Sequence, residues 1–398
     1  MKLTVVIVSY NVRHYLEQCL RSLARALEGV DAQVCVIDNH SKDHTVETLR
    51  PLFPEVRFVA SHHNLGFARA NNIVIRQTES DYVLLLNPDT IVGETCIRHC
   101  LDFMDAHADA GALGVKMHTP TGQPANESRR GVPTPMVAFY KMSGLCKRFP
   151  QSRRFGKYYM SYLPWNEPAE IEVVSGAFCM LRRAALVEAG TLDEDFFMYG
   201  EDIDLSYRLL KHGFHNWYLP ERLLHYKGES TQKSSFRYVH VFYDAMLIFF
   251  RKHFGHLSVL LSVPIKAAIY VKAFTALLSM MKEKTFRALG FRMLRARPAD
   301  TYLFVGRKDM LDHCRTLATI HALEADFLEG DARLLPQGHL AQTASTKRKG
   351  RLFVAYDTAA YSYEQVFAIF EQAPDESVRM AFYHAENNTL VTENDILQ

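Results

Sequence analysis

The chain has 398 residues, of which 48% are hydrophobic and 23% charged, and its net charge is +2. That length predicts at least two domains, and the composition excludes a disordered chain. The small net charge excludes a global basic field for nucleic acid. The seven cysteines form no CxxC pair and no zinc cluster, so they read as buried, reduced thiols. The first apolar run, Leu3 to Val8, is too short for a secretory core and reads as a buried strand, so export is not expected.

Up to about residue 95, strand and helix alternate. "LTVVIVSY", "AQVCVIDN", "VRFVAS" and "DYVLLLNPD" read as strands. "VRHYLEQCLRSLARAL" reads as a helix on Tyr15, Cys19, Leu20, Leu23 and Leu27, and "SKDHTVETLRPLF" as a short helix capped by Ser41. "GFARANNIVIRQT" reads as a third helix. Apolar strands spaced by single helices predict a mostly parallel sheet covered on both faces. Polar residues collect after each strand, at Ser9–Asn11, Asp38–Asn39, His62–Asn64 and Asn87–Asp89, the edge where such sheets bind ligands.

From about 110 to 235 helices are fewer. "GALGVKMHTPTGQP" is a strand and turn, and "IEVVSGAFCMLRRAALVEAG" a strand followed by a helix ended by Gly190. Basic residues are dense from Arg129 to Lys157, as loops over a site or as a solvated face. Residues 236–295 read as helical. Within them 257–281 is apolar but carries Pro264, Lys266 and Lys272. A spanning helix would bury both ammonium groups at ~2.5–3.5 kcal/mol each. An interfacial helix keeps them among headgroups, and the alternative is a helix packed in the core or in a homodimer. Residues 296–398 return to strand–helix alternation and predict a small Rossmann-like α/β unit, without a GxGxxG fingerprint.

Two constellations carry chemistry. In "LLLNPDT" a buried strand delivers Asp89 to its end, and in "LLHYKGEST" His225 follows an apolar pair. Asp89 suits a turn and His225 a structural role, but together they can share one divalent cation. In "FFMYGEDIDLSYRLLKHG" Glu201 and Asp202 open a helix whose dipole favours ionised carboxylates, Asp204 and Arg208 are spaced to pair, and Gly213 ends it. Capping explains the acids. A helix-start carboxylate facing an aromatic-walled pocket also makes a general base.

Seven stretches in order over residues 3–231 carry a resemblance: "VVIVSYN", "VIDNHSKDHT", "NLGFARANN", "YVLLLNPDT", "SGAFCMLRR", "LDEDFFMYGEDIDLSYRLLKHG" and "LLHYKGEST". The chain resembles inverting family 2 glycosyltransferases with a GT-A fold, of the bacterial rhamnosyltransferase-like branch. The usual Asp-X-Asp stands here as Asn87-Pro88-Asp89, leaving one carboxylate. The resemblance implies a GT-A domain over 1–235, a helical linker over 236–295 and an α/β domain of unknown role over 296–398. It implies nucleotide contacts at Ser9, Tyr10, Asp38, Asn64, Gly66, Arg69 and Asn71, metal and diphosphate contacts at Asp89 and His225, and a catalytic base at Asp202 with Glu201 beside it. Lys227, Lys233 and Arg237 are candidates to close over the diphosphate, against a solvated loop. The implied cofactor is Mg²⁺ or Mn²⁺. The implied partners are a nucleotide-diphosphate sugar, a lipid-linked or glycan acceptor and the membrane surface, with the protein on the inner face of the cytoplasmic membrane.

Two other functions compete. A non-catalytic sugar-nucleotide-binding or scaffold protein on the same fold would not need Asp89, Asp202 and His225 intact. A nucleotidyltransferase usually needs a Gly-rich basic loop after its first strand, and "SYNVRHY" has no Gly.

Overall fold

The computed structural model describes residues 1–226, 236–255, 299–343, 350–393 and 395–398. The apolar stretch 257–281, Lys227 and Lys233 lie outside the described residues, as does the side chain of Arg237. Among the described residues no helix is long and apolar enough to cross a membrane.

The first sheet contains β1 (Leu3–Ser9), β2 (Ala32–Asp38), β3 (Arg57–Ala60), β4 (Tyr82–Leu86), β5 (Thr90–Val92), β6 (Ala110–His118), β7 (Ala169–Ile171), β8 (Phe178–Arg182) and β9 (His215–His225). Their order is β3-β2-β1-β4-β8-β6-β9-β5, with β7 on β9. β3, β2, β1 and β4 are parallel, and β8 runs antiparallel between β4 and β6. Chain order reverses between β1 and β4, which makes that edge a switch point.

The strands are apolar throughout because both faces are covered. Leu3, Val5 and Ile7 pack with Leu16, Cys19, Leu20 and Leu23 of helix Arg13–Ala26 and with helix Cys96–Ala106. Val6, Val83 and Leu85 pack with helices Phe67–Ile75, Arg183–Ala189 and Glu201–Lys211. All seven cysteines are buried and unpaired.

Two local expectations fail. The segment expected as one strand before Arg183 splits into β7 and β8, because the amides between them find other acceptors: Glu172 and Val173 donate to the Arg130 carbonyl, Val174 to the Ser206 hydroxyl and Gly176 to the Asp202 carboxylate at 3.2 Å. Ser41 does not cap a helix: the helix begins at Thr45, after His44 at φ +58°. Ser41 instead accepts from the Asn11 amide through its hydroxyl and donates its own amide to Asp38.

The second sheet holds β10 (Thr301–Gly306), β11 (Glu324–Glu329), β12 (Leu352–Asp357), β13 (Val378–His384), β14 (Thr389–Val391) and β15 (Ile396–Leu397), in the order β11-β10-β12-β13-β14-β15. The first four in that order are parallel, and the last two pairings are antiparallel.

The two sheets share one core. Val12, Tyr15, Ile91, Leu224 and Tyr226 from the first half pack with Leu303, Val354, Tyr363 and Phe367 from the second. Around this core Lys116, 2% exposed, pairs with Glu371, and Arg222 donates to Glu371 at 2.8 Å and to Glu364 at 2.9 Å. The Glu94 carboxylate accepts the amides of Tyr363 and Glu364 at 2.9 and 3.0 Å, the N-terminal turn of helix Tyr363–Gln372. Burial pulls the imidazole of His118, which sits beside Glu371, down to about 4.

Candidate functional site

The carboxyl edge of β1, β2 and β4 opens into a cleft of about 460 Å³. Tyr10, Asn39, Asn64 and Asn87–Asp89 line it from the strand ends, with Ser175, Gly176, Glu201, Asp202 and His225 from later in the chain. Arg130, Lys141, Tyr158 and Tyr159 line it from the connection between β6 and β7.

Asp89 and His225 meet because β5 leaves Asp89 and pairs antiparallel with β9, Thr90 opposite His225. The Tyr226 amide donates to the Asp89 carbonyl at 3.0 Å. Asp89 Oδ1 then lies 3.3 Å from His225 Nε2, with Asn87 Nδ2 3.4 Å from the same nitrogen. Among the described residues no group of three His, Cys, Asp or Glu side chains could hold a metal ion.

The acids of the "FFMYGEDID" stretch sit in the first turn of helix Glu201–Lys211. Gly200 precedes them at φ +86°, and a Cβ there would lie 3.0 Å from the Phe196 ring, so the turn favours glycine. Asp202 Oδ2 accepts from the Gly176 amide at 3.2 Å and pairs with Arg130 Nη2, while Oδ1 accepts from the Ile203 amide at 2.8 Å. Arg130 is anchored in turn by donating to the Val174 carbonyl at 3.2 Å. Glu201 is 6% exposed and its Oε2 has no partner among the described residues. Burial first, and then the charge of Asp202, push its carboxyl up to about 8. Neighbouring acids are thus split between an ion-paired carboxylate and a neutral acid.

The aromatic run divides. Phe196 is core, whereas Met198 and Tyr199 line the cleft. Phe197 works through its backbone: its carbonyl accepts the Phe67 amide at 2.8 Å. Gly66 lets it come that close, at φ +78°, since a Cβ there would lie 2.4 Å from the Phe197 oxygen. Asn39 donates to the Gly66 carbonyl, and Asn64 Oδ1 accepts the Gly66 amide.

The other expected contacts are more scattered. Asp38 borders a neighbouring hollow of about 500 Å³ with His40, Ser41, Thr45 and Arg50. Ser9 is buried at the end of β1, with an unpartnered hydroxyl among the described residues. Arg69 points away, paired with Glu194 at 3.1 Å, and Asn71 is buried, donating to the Phe67 carbonyl. Sequence reasoning does not single out Arg130 and Lys141. The density of basic residues is the available signal, and only part of it faces the cleft: Arg129 is buried instead, its guanidinium 3.5 Å from the centre of the Trp165 ring.

Residues 4–189 match the family model described as Glycosyl transferase family 2. An N-acetylglucosaminyl-diphospho-decaprenol L-rhamnosyltransferase of Mycobacterium tuberculosis is 32% identical over 261 residues, which cover 62% of this chain and 83% of that protein. The chain belongs to glycosyl transferase family 2. A poly-beta-1,6-N-acetyl-D-glucosamine synthase of Staphylococcus aureus is 25% identical to this family 2 chain over 222 residues, 55% of the chain and 48% of that protein. A solved mannosyltransferase from Pyrobaculum calidifontis, in complex with GDP-Man and Mn²⁺, is 16% identical and covers 73% of this chain and 81% of its own, with a TM-score of 0.43. As a family 2 member the protein is a glycosyltransferase.

The raised Glu201 carboxyl has a sign that can be measured. Between the usual 4.5 and about 8 the folded protein holds a proton that the unfolded chain has lost. Stability therefore falls as pH rises through that window. Glu201→Gln should flatten this slope and stabilise the protein most at its alkaline end. Urea midpoints measured from pH 5 to pH 8 test it, and parallel curves for the two proteins would refute it.

Proposed function

We propose that this glycosyltransferase inverts the anomeric centre, moving one sugar from a nucleotide-diphosphate donor to a hydroxyl of a lipid-linked or polysaccharide acceptor in cell-surface glycan synthesis. The observation that carries the reading is the Asp202 carboxylate, aimed into a cleft that also holds Asp89 and His225. The catalytic unit is the first sheet with its helices. The donor's base and ribose lie toward Asp38, Tyr10 and Asn64, and its diphosphate toward Asp89 and His225.

A hard carboxylate and an imidazole 3.3 Å apart suit Mg²⁺ or Mn²⁺ that takes its remaining ligands from phosphate oxygens and water. Bound there, the ion would neutralise charge on the leaving diphosphate. Asp202 takes the proton of the acceptor hydroxyl as its oxygen attacks the anomeric carbon from the face opposite the leaving group. The bond to the nucleoside diphosphate breaks as the new glycosidic bond forms, and the configuration inverts. Arg130 and the Gly176 amide hold the base in one orientation, which is what a positioned base requires. Glu201, buried beside Asp202 with its carboxyl pushed up by that burial, is the second acid of the site.

The protein works at the inner face of the cytoplasmic membrane, attached peripherally. Met136, Phe139 and Met142 are 54%, 55% and 51% exposed at three-residue spacing on helix Pro135–Met142. Lys147, Arg148, Arg153 and Arg154 are exposed in the segment that follows. Apolar side chains near cations suit anionic headgroups.

Asp202→Asn should lower turnover ~10²–10⁴-fold, the range for a general base, with donor affinity nearly unchanged. Normal turnover in that variant beside a dead Glu201→Gln variant would show the wrong acid was chosen. Chelation with excess EDTA should abolish transfer and Mn²⁺ should restore it; full activity in EDTA refutes the metal. Replacing Met136, Phe139 and Met142 together by Ser should lower co-sedimentation with phosphatidylglycerol vesicles, and unchanged sedimentation removes this helix from the membrane contact.

A further inference from the structure

Beside the catalytic cleft lies a second cavity of about 300 Å³, lined by Ala138, Met142, Ile203, Ala245, Met246 and Phe249. It shares Lys141, Tyr158, Tyr199 and Phe242 with the cleft, and Ile203 follows the base directly in sequence. A polar chamber and an apolar one therefore meet beside Asp202. Ala245, Met246 and Phe249 come from helix Phe236–His253, whose other contacts, such as Phe250, continue the same apolar surface.

Lys141 stands at the junction. Its Nζ lies 3.6 Å from the centre of the Tyr158 ring and 5.5 Å from that of Tyr159. Burial pulls its pKa down, and the charged or polar groups that act on it are Tyr159, Arg130 and Cys146. Among the described residues no carboxylate comes within ion-pair distance of it, unlike Lys116 and Arg130, which each have one. A largely buried ammonium held on aromatic faces, with a second cation nearby, is a receptor for an anion. Met142, the next residue on the same helix, both lines the cavity and is half exposed, so the apolar space opens beside the exposed Met136 and Phe139.

We propose that this junction binds a lipid phosphate acceptor: Lys141 takes the phosphate, the adjoining cavity takes the first units of the hydrocarbon tail, and the rest of the tail leaves past Met142 toward the bilayer. The proposal rests on the glycosyltransferase reading and narrows its acceptor to a lipid phosphate rather than a free polysaccharide. Charge complementarity selects the headgroup, and the apolar lining selects the tail. The order of the parts also fits transfer. The phosphate sits between tail and base, so a hydroxyl attached beyond the phosphate falls on the Asp202 side.

The test uses farnesyl phosphate as the probe, titrated into the full chain in EDTA so that no cation at Asp89 and His225 can attract the phosphate. It should bind at least about tenfold more tightly than either inorganic phosphate or farnesol, because both parts contribute. Lys141→Met should weaken it about tenfold by removing the charge at similar volume. Ala245→Phe should weaken it by filling the cavity, and Ala138→Leu provides a milder filling from the facing helix if the larger one impairs folding. Affinities for UDP, dTDP and GDP with Mn²⁺ are measured on the same proteins. Loss confined to farnesyl phosphate supports the proposal. Farnesyl phosphate binding no better than inorganic phosphate, or indifferent to both filling variants, overturns it while leaving the donor reading intact. Farnesyl phosphate binding as expected, in a protein that binds no nucleotide, supports the lipid site and instead refutes the donor reading.

Discussion

The short antiparallel ladder between β5 and β9 is the contact on which the rest depends. It pairs Thr90 with His225, Ile91 with Leu224 and Val92 with Leu223. At one end it brings an acid and an imidazole, far apart in sequence, to 3.3 Å. Two of its apolar members, Ile91 and Leu224, join the core of the second sheet. A slip of one residue would turn Leu224 toward the cleft and His225 away from it, because side chains alternate along a strand. The approach of Asp89 to His225 and the packing of the two halves are thus set by the same few backbone hydrogen bonds.

The cleft separates charges by burial rather than by distance alone. Asp202 faces it beside Arg130, and the adjacent Glu201 is withdrawn from water and kept neutral. Two neighbouring carboxylates would repel each other if both were ionised, so burying one leaves the other with a defined charge and a defined partner. The same logic separates the cations. Arg130 is matched by Asp202, whereas Lys141 rests on tyrosine rings.

Much of the architecture is legible in the sequence because its strands are covered on both faces and its helices on one, which leaves strong periodicity. β14 and β15 escape because three and two residues show no period. The place of Asp89, Asp202 and His225 at one cleft can be read because each sits at the end of a regular element, where the chain's direction is known. Arg130 and Lys141 cannot be assigned: their segment has irregular backbone and short helices, so spacing does not say which basic residue turns inward. Arg69 shows the converse. It stands two residues from Phe67, which lines the cleft, yet helical rotation carries it out to Glu194.

The buried ions between the sheets have a consequence for what each half is by itself. Lys116 and Arg222 belong to the first sheet, and their carboxylate, Glu371, belongs to a helix of the second. Glu94 in turn supplies acceptors for the opening amides of that helix. By hydrogen-bond accounting neither half is finished alone. Separated, the first would carry an ammonium without its counterion and an apolar face at Ile91, Leu224 and Tyr226, and the second would present Tyr363 and Phe367 to water. The second α/β unit is therefore less an appendage than the missing wall of the first.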